Sequence, residues 1–242
     1  MGNDFFRFRQ FTVMQGGAAM KVGVDSVLLG AWACVDHATR ILDVGAGTGL
    51  LALMMAQRYP GAMIDAVEID SAACQQAIEN VTNSTWSNRI RVICDDFVQY
   101  VEQCPSRYDL IISNPPYFTA SLKASDAKRN IARHNDSLPH CSLLAGSAKL
   151  LASDGVLAIV LPPSEALKFI GQAKVYGLFV KRTLHVQSLP SKPVYRTLVE
   201  FSKTSPRSCE DGPGERLCIE KADRSALTDE YCHLTKEFYL DK

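Results

Sequence analysis

From residue 40 to residue 162 the chain alternates short β-branched apolar runs with longer segments whose apolar residues recur at helical spacing. Arg40–Val44, Met63–Ile69, Ile90–Cys94, Tyr108–Ser113 and Val156–Leu161 read as strands. Leu50–Tyr59, Ser71–Asn83 and Ser142–Leu151 read as amphipathic helices between them, with Ser71 placed as an N-cap and Ser153-Asp154-Gly155 as a stop. Such alternation builds a parallel sheet covered by helices, an α/β fold. Beyond Pro162-Pro163 the pattern predicts a helix (Ser164–Val175) and two strands (Leu178–Val186 and Tyr195–Lys203). A Ser/Pro/Gly-rich loop (Thr204–Gly214), a strand (Arg216–Glu220) and a terminal helix near Thr228–Glu237 complete it. The Phe/Gly-rich stretch up to Trp32 and the polar stretch Thr119–His140 fit neither period. Long segments without their own elements are usually functional or disordered, and these two flank the opening of the sheet.

The composition changes this picture little. The 242 residues are 47% hydrophobic and 21% charged, enough for one large α/β domain with additions and a core that needs no staple. The expected division is an N-terminal closing segment over 1–39, a core over 40–203 and a C-terminal addition over 204–242. The formal net charge is zero, so only local patches can speak for an acidic partner. Eight cysteines without a C-x-x-C pair predict no metal, and reduced thiols that mostly fill the core. No apolar run reaches membrane-spanning length, and MGNDFFRFRQ lacks a cleavable apolar stretch. A cytoplasmic protein with no membrane contact is the expectation.

The first predicted strand runs into Asp43-Val44-Gly45-Ala46-Gly47-Thr48-Gly49 at the mouth of a helix. Glycines there let a ligand approach the backbone closely. A dinucleotide fingerprint would need a glycine where Leu50 stands. The acid beside the loop, Asp43, repels a pyrophosphate and welcomes a cation; S-adenosyl-L-methionine carries an ammonium and a sulfonium. Glu68, at the end of the next strand, can accept from ribose hydroxyls. Asp96, after the third, can accept from an adenine amino group while the Phe97 backbone N–H faces a ring nitrogen. Any one of these acids could be a solvated strand end or a helix cap. Three at consecutive strand ends around a glycine loop point to a methyl-donor site.

The fourth strand ends in Ser113-Asn114-Pro115-Pro116-Tyr117-Phe118, next to the first strand, where ligands of open α/β sheets bind. Asn114 offers a side-chain carbonyl and Pro115 a backbone one. The prolines fix φ and bring no N–H to compete for those acceptors. Tyr117 offers a face for an unstacked base. The turn therefore suits a planar NH₂ group, whose hydrogens it can take and whose lone pair it can turn toward a methyl group.

D-V-G-A-G-T-G, V-E-I-D, the D-D-F acids and N-P-P-Y together resemble the class I S-adenosylmethionine methyltransferases that act on planar nitrogens. The segment from Ala19 to Trp32 (AMKVGVDSVLLGAW) and the Phe238-Tyr239-Leu240 ending narrow the resemblance to the bacterial tRNA1(Val) adenine-37 N6-methyltransferase family. It covers nearly the whole chain. It implies a Rossmann-like, mostly parallel seven-stranded sheet with helices on both faces. It also implies S-adenosyl-L-methionine as cofactor and the anticodon loop of a tRNA as partner. Gly45, Gly47 and Gly49, with Asp43, would hold the methionine portion, Glu68 the ribose, and Asp96 and Phe97 the adenine. Lys21 and Asp25 belong to a segment that would close over the cofactor, and Asn114, Pro115, Pro116 and Tyr117 would hold the target amine beside it. Arg133 and His134 sit in a run that looks like a family feature without a derivable role. Release-factor glutamine methyltransferases share N-P-P-Y, but usually carry a helical domain before the glycine loop. Only 42 residues precede Asp43 here, and they begin with strand-like text. Guanine-N2 enzymes favour phenylalanine after N-P-P, and DNA adenine enzymes add a recognition domain. A cofactor-binding module without activity would be expected to show decayed motifs, and these are intact.

Two basic stretches could meet RNA. Lys181, Arg182, Lys192, Arg196, Lys203 and Arg207 face only Glu200, while Lys123, Lys128, Arg129 and Arg133 face Asp126 and Asp136.

Overall fold

The computed structural model describes residues 4–16, 21–116, 138–205 and 214–240. Tyr117, Lys123, Lys128, Arg129, Arg133, His134 and Arg207 lie outside the described residues. The first half runs β1 (Phe5–Arg7), β2 (Thr12–Met14), α1 (Val24–Trp32), β3 (Arg40–Val44), α2 (Leu50–Arg58), β4 (Met63–Glu68), α3 (Ser71–Thr82) and β5 (Ile90–Cys94). The second half runs α4 (Phe97–Gln103), β6 (Tyr108–Ser113), α5 (His140–Leu150), β7 (Leu151–Leu161), α6 (Pro163–Ala173), β8 (Phe179–Gln187), β9 (Val194–Ser202), β10 (Glu215–Cys218) and α7 (Asp229–Thr235).

The strands lie in the order β10-β8-β9-β7-β6-β3-β4-β5. Pairing is parallel from β7 through β6, β3 and β4 to β5, and antiparallel where β9 enters between β7 and β8. These seven strands are the expected mostly parallel sheet, and β10 adds an eighth at the edge, parallel to β8. The chain moves outward from β3 to β5 and then crosses back to β6. The C-terminal ends of β3 and β6 therefore flank the point where the winding reverses. Ser113 fastens them there, its Oγ donating to the Val44 carbonyl at 2.7 Å.

Alternate side chains of β3 enter opposite cores, as the strand period requires. Ile41 joins the core that holds Phe8, Val27, Leu53 and Ile112, and Leu42 the one that holds Phe97, Ile111, Leu143 and Phe169. Gly30 permits the close crossing of α1 and α2, because a Cβ there would meet the Met54 side chain. The N-terminal hairpin β1–β2 packs against the C-terminal segment. Arg9 donates through its backbone N–H to the Phe238 carbonyl at 2.8 Å, and through Nε to the Tyr239 carbonyl at 2.7 Å.

Several expectations are corrected. The N-cap of α3 is Asp70, whose Oδ1 accepts from Ala73 N at 2.7 Å; Ser71 is already helical. The segment before residue 32 holds the hairpin and α1, and α4 forms where no helix was read. Of the seven cysteines that are described, Cys74 is buried, and it is joined by a disulfide to Cys94, with Cα atoms 5.8 Å apart. A helix followed by its own strand brings residues together across a separation that motif spacing does not reveal. Cys34, Cys141 and Cys232 are exposed, so core filling is not their role.

The count of free cations also shrinks. Arg182 on β8 sits opposite Glu200 on β9 and makes two bonds to its carboxylate, at 2.7 and 2.9 Å. Arg196 pairs with Asp25 at 2.6 Å, and Lys203 donates to the Leu151 carbonyl at 2.8 Å. Lys181 and Lys192 remain exposed. Among the described residues no group of three metal-ligating side chains gathers, and no helix is long and apolar enough to cross a membrane.

Candidate active site

The loop after β3 turns on three left-handed glycines, with φ of 71° at Gly45, 56° at Gly47 and 81° at Gly49, a region that side-chain-bearing residues rarely occupy. Its first two amides, Gly45 N and Ala46 N, donate to the Val67 carbonyl on β4. Gly49 closes the loop as the N-cap of α2. The result is a floor of backbone at the end of β3. A roof comes from the entry to α1, and the two enclose a cleft of about 320 Å³. Lys21, Val22, Gly23, Asp25 and Ser26 line it from above, the 45–48 loop from below, and Asn114 at one end.

Three predicted acids hold distinct positions. Asp43 is fully buried beneath the loop; its Oδ2 accepts from Ala52 N at 3.0 Å and its Oδ1 has no partner. Its carboxyl is pushed up to about 7, chiefly by burial and to a smaller extent by the nearby Glu68 charge, against the lowering effect of the Ala52 N–H. Glu68, 8% exposed, braces the loop: Oε2 accepts from Gly47 N at 2.7 Å and Oε1 from Asp70 N at 2.9 Å. Asp96 is the N-cap of α4, where Oδ1 accepts from Val98 N at 2.7 Å and Gln99 N at 3.3 Å. That cap engages one carboxylate oxygen only. The Phe97 ring is buried in the α4–α5 core, so only its backbone, in the first turn of α4, is placed for recognition.

Asn114 follows directly on β6. Its Nδ2 donates to Ser26 Oγ on α1 at 2.8 Å, while its Oδ1 is buried without a partner. An unpaired buried carbonyl is costly, and this one borders the cleft. Pro115 is buried and Pro116 exposed. The predicted residues Lys21, Asp25, Gly45, Gly47 and Asn114 therefore line one cleft, with Asp43 and Glu68 packed beneath its floor and Asp96 at the neighbouring strand end.

Sequence reasoning missed the partners. The pairings of Ser26 with Asn114, Asn80 with Met14, Gln15 with Val22 and Arg196 with Asp25 have no local signal, since each joins residues at least seven apart in the chain. The residues present fit S-adenosyl-L-methionine. Two buried acceptor oxygens, Asp43 Oδ1 and Asn114 Oδ1, lack donors, and the acids around the cleft suit a cationic ligand. A larger cleft at the opposite end of the strands is built on Asp65, whose carboxylate is already held by Arg40, Arg91 and Tyr108.

Glu68→Ala removes the brace on Gly47 N and an acceptor for ribose hydroxyls together. Affinity for S-adenosylmethionine should fall by about 1.5–3 kcal/mol. Titration calorimetry checks this, and unchanged affinity would separate Glu68 from the cofactor.

The methyltransferase small domain family matches residues 21–173. A Bacteroides fragilis protein named tRNA1(Val) (adenine(37)-N6)-methyltransferase is 48% identical over 241 residues, spanning 99% of each chain. A Parabacteroides distasonis protein of the same name is 46% identical over 243 residues, again spanning 99% of each. Among solved structures, one described as a "predicted O-methyltransferase" from Agrobacterium tumefaciens superposes with a TM-score of 0.64 at 19% identity. It covers 88% of this chain and 96% of its own. That likeness speaks for the fold alone.

Proposed function

The chain belongs to the tRNA1(Val) (adenine(37)-N6)-methyltransferase family, and on that premise we propose that it methylates N6 of adenine 37 in the anticodon loop of a valine tRNA. The observation that carries this reading is the buried, unpartnered Asn114 Oδ1 at the end of the cleft, in a chain alike over its whole length to proteins of that name. S-adenosyl-L-methionine supplies an electrophilic methyl group when bound. In this reading the loop at Gly45, Gly47 and Gly49, with Asp43, Lys21 and Asp25, holds its methionine end, while Glu68, Asp96 and Phe97 hold the adenosine.

The protein's part in transfer is to prepare the nitrogen. The lone pair of an adenine amino group is delocalised into the ring and is a weak nucleophile. Asn114 Oδ1 and the Pro115 carbonyl each accept one amino hydrogen, which favours a more tetrahedral nitrogen with its lone pair free to attack. Ser26 holds the Asn114 amide so that oxygen, not N–H, meets the amine. With S-adenosyl-L-methionine bound, the amine would gain an N–C bond as the cofactor's S–C bond gave way. The nitrogen then carries one proton too many and loses it to solvent, so no general base is required. Pro115 and Pro116 keep the turn rigid, and Tyr117 stacks on the base. A loop adenine is already partly unstacked, so presenting it costs at most about a few kcal/mol.

The same reading assigns residues 40–203 to the transfer core, 1–39 to closure and 204–242 to a C-terminal addition, in a cytoplasmic protein. The test offers purified protein and labelled cofactor three substrates: tRNA, a release factor and duplex DNA. Label should enter tRNA, as N6-methyladenine at position 37. Label in the release factor's glutamine, with none in tRNA, would overturn the assignment.

A further inference from the structure

Two buried amides lie outside the chemistry described so far. Asn80, on α3, is 1% exposed, and Gln15, just past β2, is 5% exposed. A buried amide costs stability unless its hydrogen bonds are made. Asn80 makes three: Nδ2 donates to the Thr48 carbonyl at 2.9 Å and to the Met14 carbonyl at 2.9 Å, while Oδ1 accepts from Met14 N at 2.8 Å. Packing does not call for an amide at this position, because its helical neighbours Ala77 and Val81 supply the apolar surface.

What these bonds connect is informative. Thr48 is part of the glycine-loop floor. Met14 belongs to β2, and the next residue, Gln15, accepts from Val22 N through Oε1 at 2.8 Å. Val22 lies in the roof of the same cleft. A continuous line therefore runs from floor to roof through Thr48, Asn80, Met14, Gln15 and Val22.

We propose that Asn80 and Gln15 are positioning residues for cofactor capture, fixing through β2 the spacing between the glycine loop and the 21–26 roof that grips the methionine end. The inference rests on the assignment of that end to the Gly45–Gly49 loop. It explains why a small hairpin is pinned by a buried amide to a loop it does not otherwise continue. It also makes the hairpin part of the binding site without contact to the ligand.

The test measures two ligands by calorimetry in wild type, Asn80→Ala, Gln15→Ala and the double variant. S-adenosylhomocysteine carries the amino-acid end, and methylthioadenosine lacks it. Each single variant should weaken S-adenosylhomocysteine about tenfold or more, the equivalent of one lost hydrogen bond, and change methylthioadenosine by less than about twofold. Because the two amides act in series, the double variant should lose no more than the worse single variant. Equal weakening of both ligands, or losses that add, would overturn the proposal and leave a general structural role. Gln15→Ala lies outside the α3 core, and keeps the test decisive if Asn80→Ala does not fold. Wild-type protein that binds neither ligand would instead overturn the cofactor assignment beneath it.

Discussion

Asn114→Ala should lower the rate of methyl transfer about 10²–10³-fold, the usual effect of losing one preorganised polar group at a reacting centre. The side chain is held by Ser26 and presents an oxygen with no partner, so on the proposed reading what is removed is the acceptor for the amine. Its contribution grows as the nitrogen turns tetrahedral and is small before that. Turnover at saturating cofactor should therefore collapse, while cofactor affinity measured by calorimetry changes little. Single-turnover kinetics with tRNA separates the two effects. A variant with near-wild-type transfer would mean that another group holds the amine.

Glu200→Ala should cost about 2–4 kcal/mol of folding stability, toward the lower end for a broken buried pair because Arg182 is partly solvated. Glu200 is fully buried; it takes both bonds from Arg182 and a third from Cys34 N at 2.8 Å. Arg182 also donates to the Trp32 carbonyl and lies 4.1 Å from the centre of the Trp32 ring. Removing the carboxylate leaves a guanidinium half inside the protein with only the more distant Glu215, at 3.9 Å, as counter-charge among the described residues. The urea midpoint should fall with an unchanged slope. Replacing both residues, as Arg182→Met with Glu200→Leu, should recover much of the loss. A single variant as stable as wild type would show that the pair contributes nothing to folding.

How much could be read in advance depended on whether the signal was local. The five central strands are continuous apolar runs because their neighbours cover both faces, and their spacing alone yields the parallel order. The glycine loop and N-P-P turn are legible for the same reason: adjacent residues must do one backbone job. Helix α1 was not legible, since VDSVLLGAW is buried almost all round from Val27 onward and shows no polar stripe. Asp96 illustrates a residue whose two readings are compatible, since capping α4 engages only one of its oxygens. The basic count between Lys181 and Lys203 overstated the free charge because partners outside the stretch, Asp25 for Arg196 and the Leu151 carbonyl for Lys203, are not visible in it. Asp25 is 171 residues from Arg196. Charge summed along a chain cannot anticipate partners supplied by topology.

The hairpin carries one more consequence, in the order of synthesis. Its Phe8 ring stacks on Tyr239, and Arg9 bonds across 230 residues to the same segment. Contacts this distant can form only after the far partner has been made, and closing them late slows the final step of folding. Seven of the eight strands of the sheet, the glycine loop and the Asn114 turn are complete by residue 202. The hairpin can meet Asn80 early, but its Phe8 and Arg9 contacts wait for Phe238 and Tyr239. A nascent chain on the ribosome thus holds the parts of a methyl-transfer site before its hairpin is fastened at the far side.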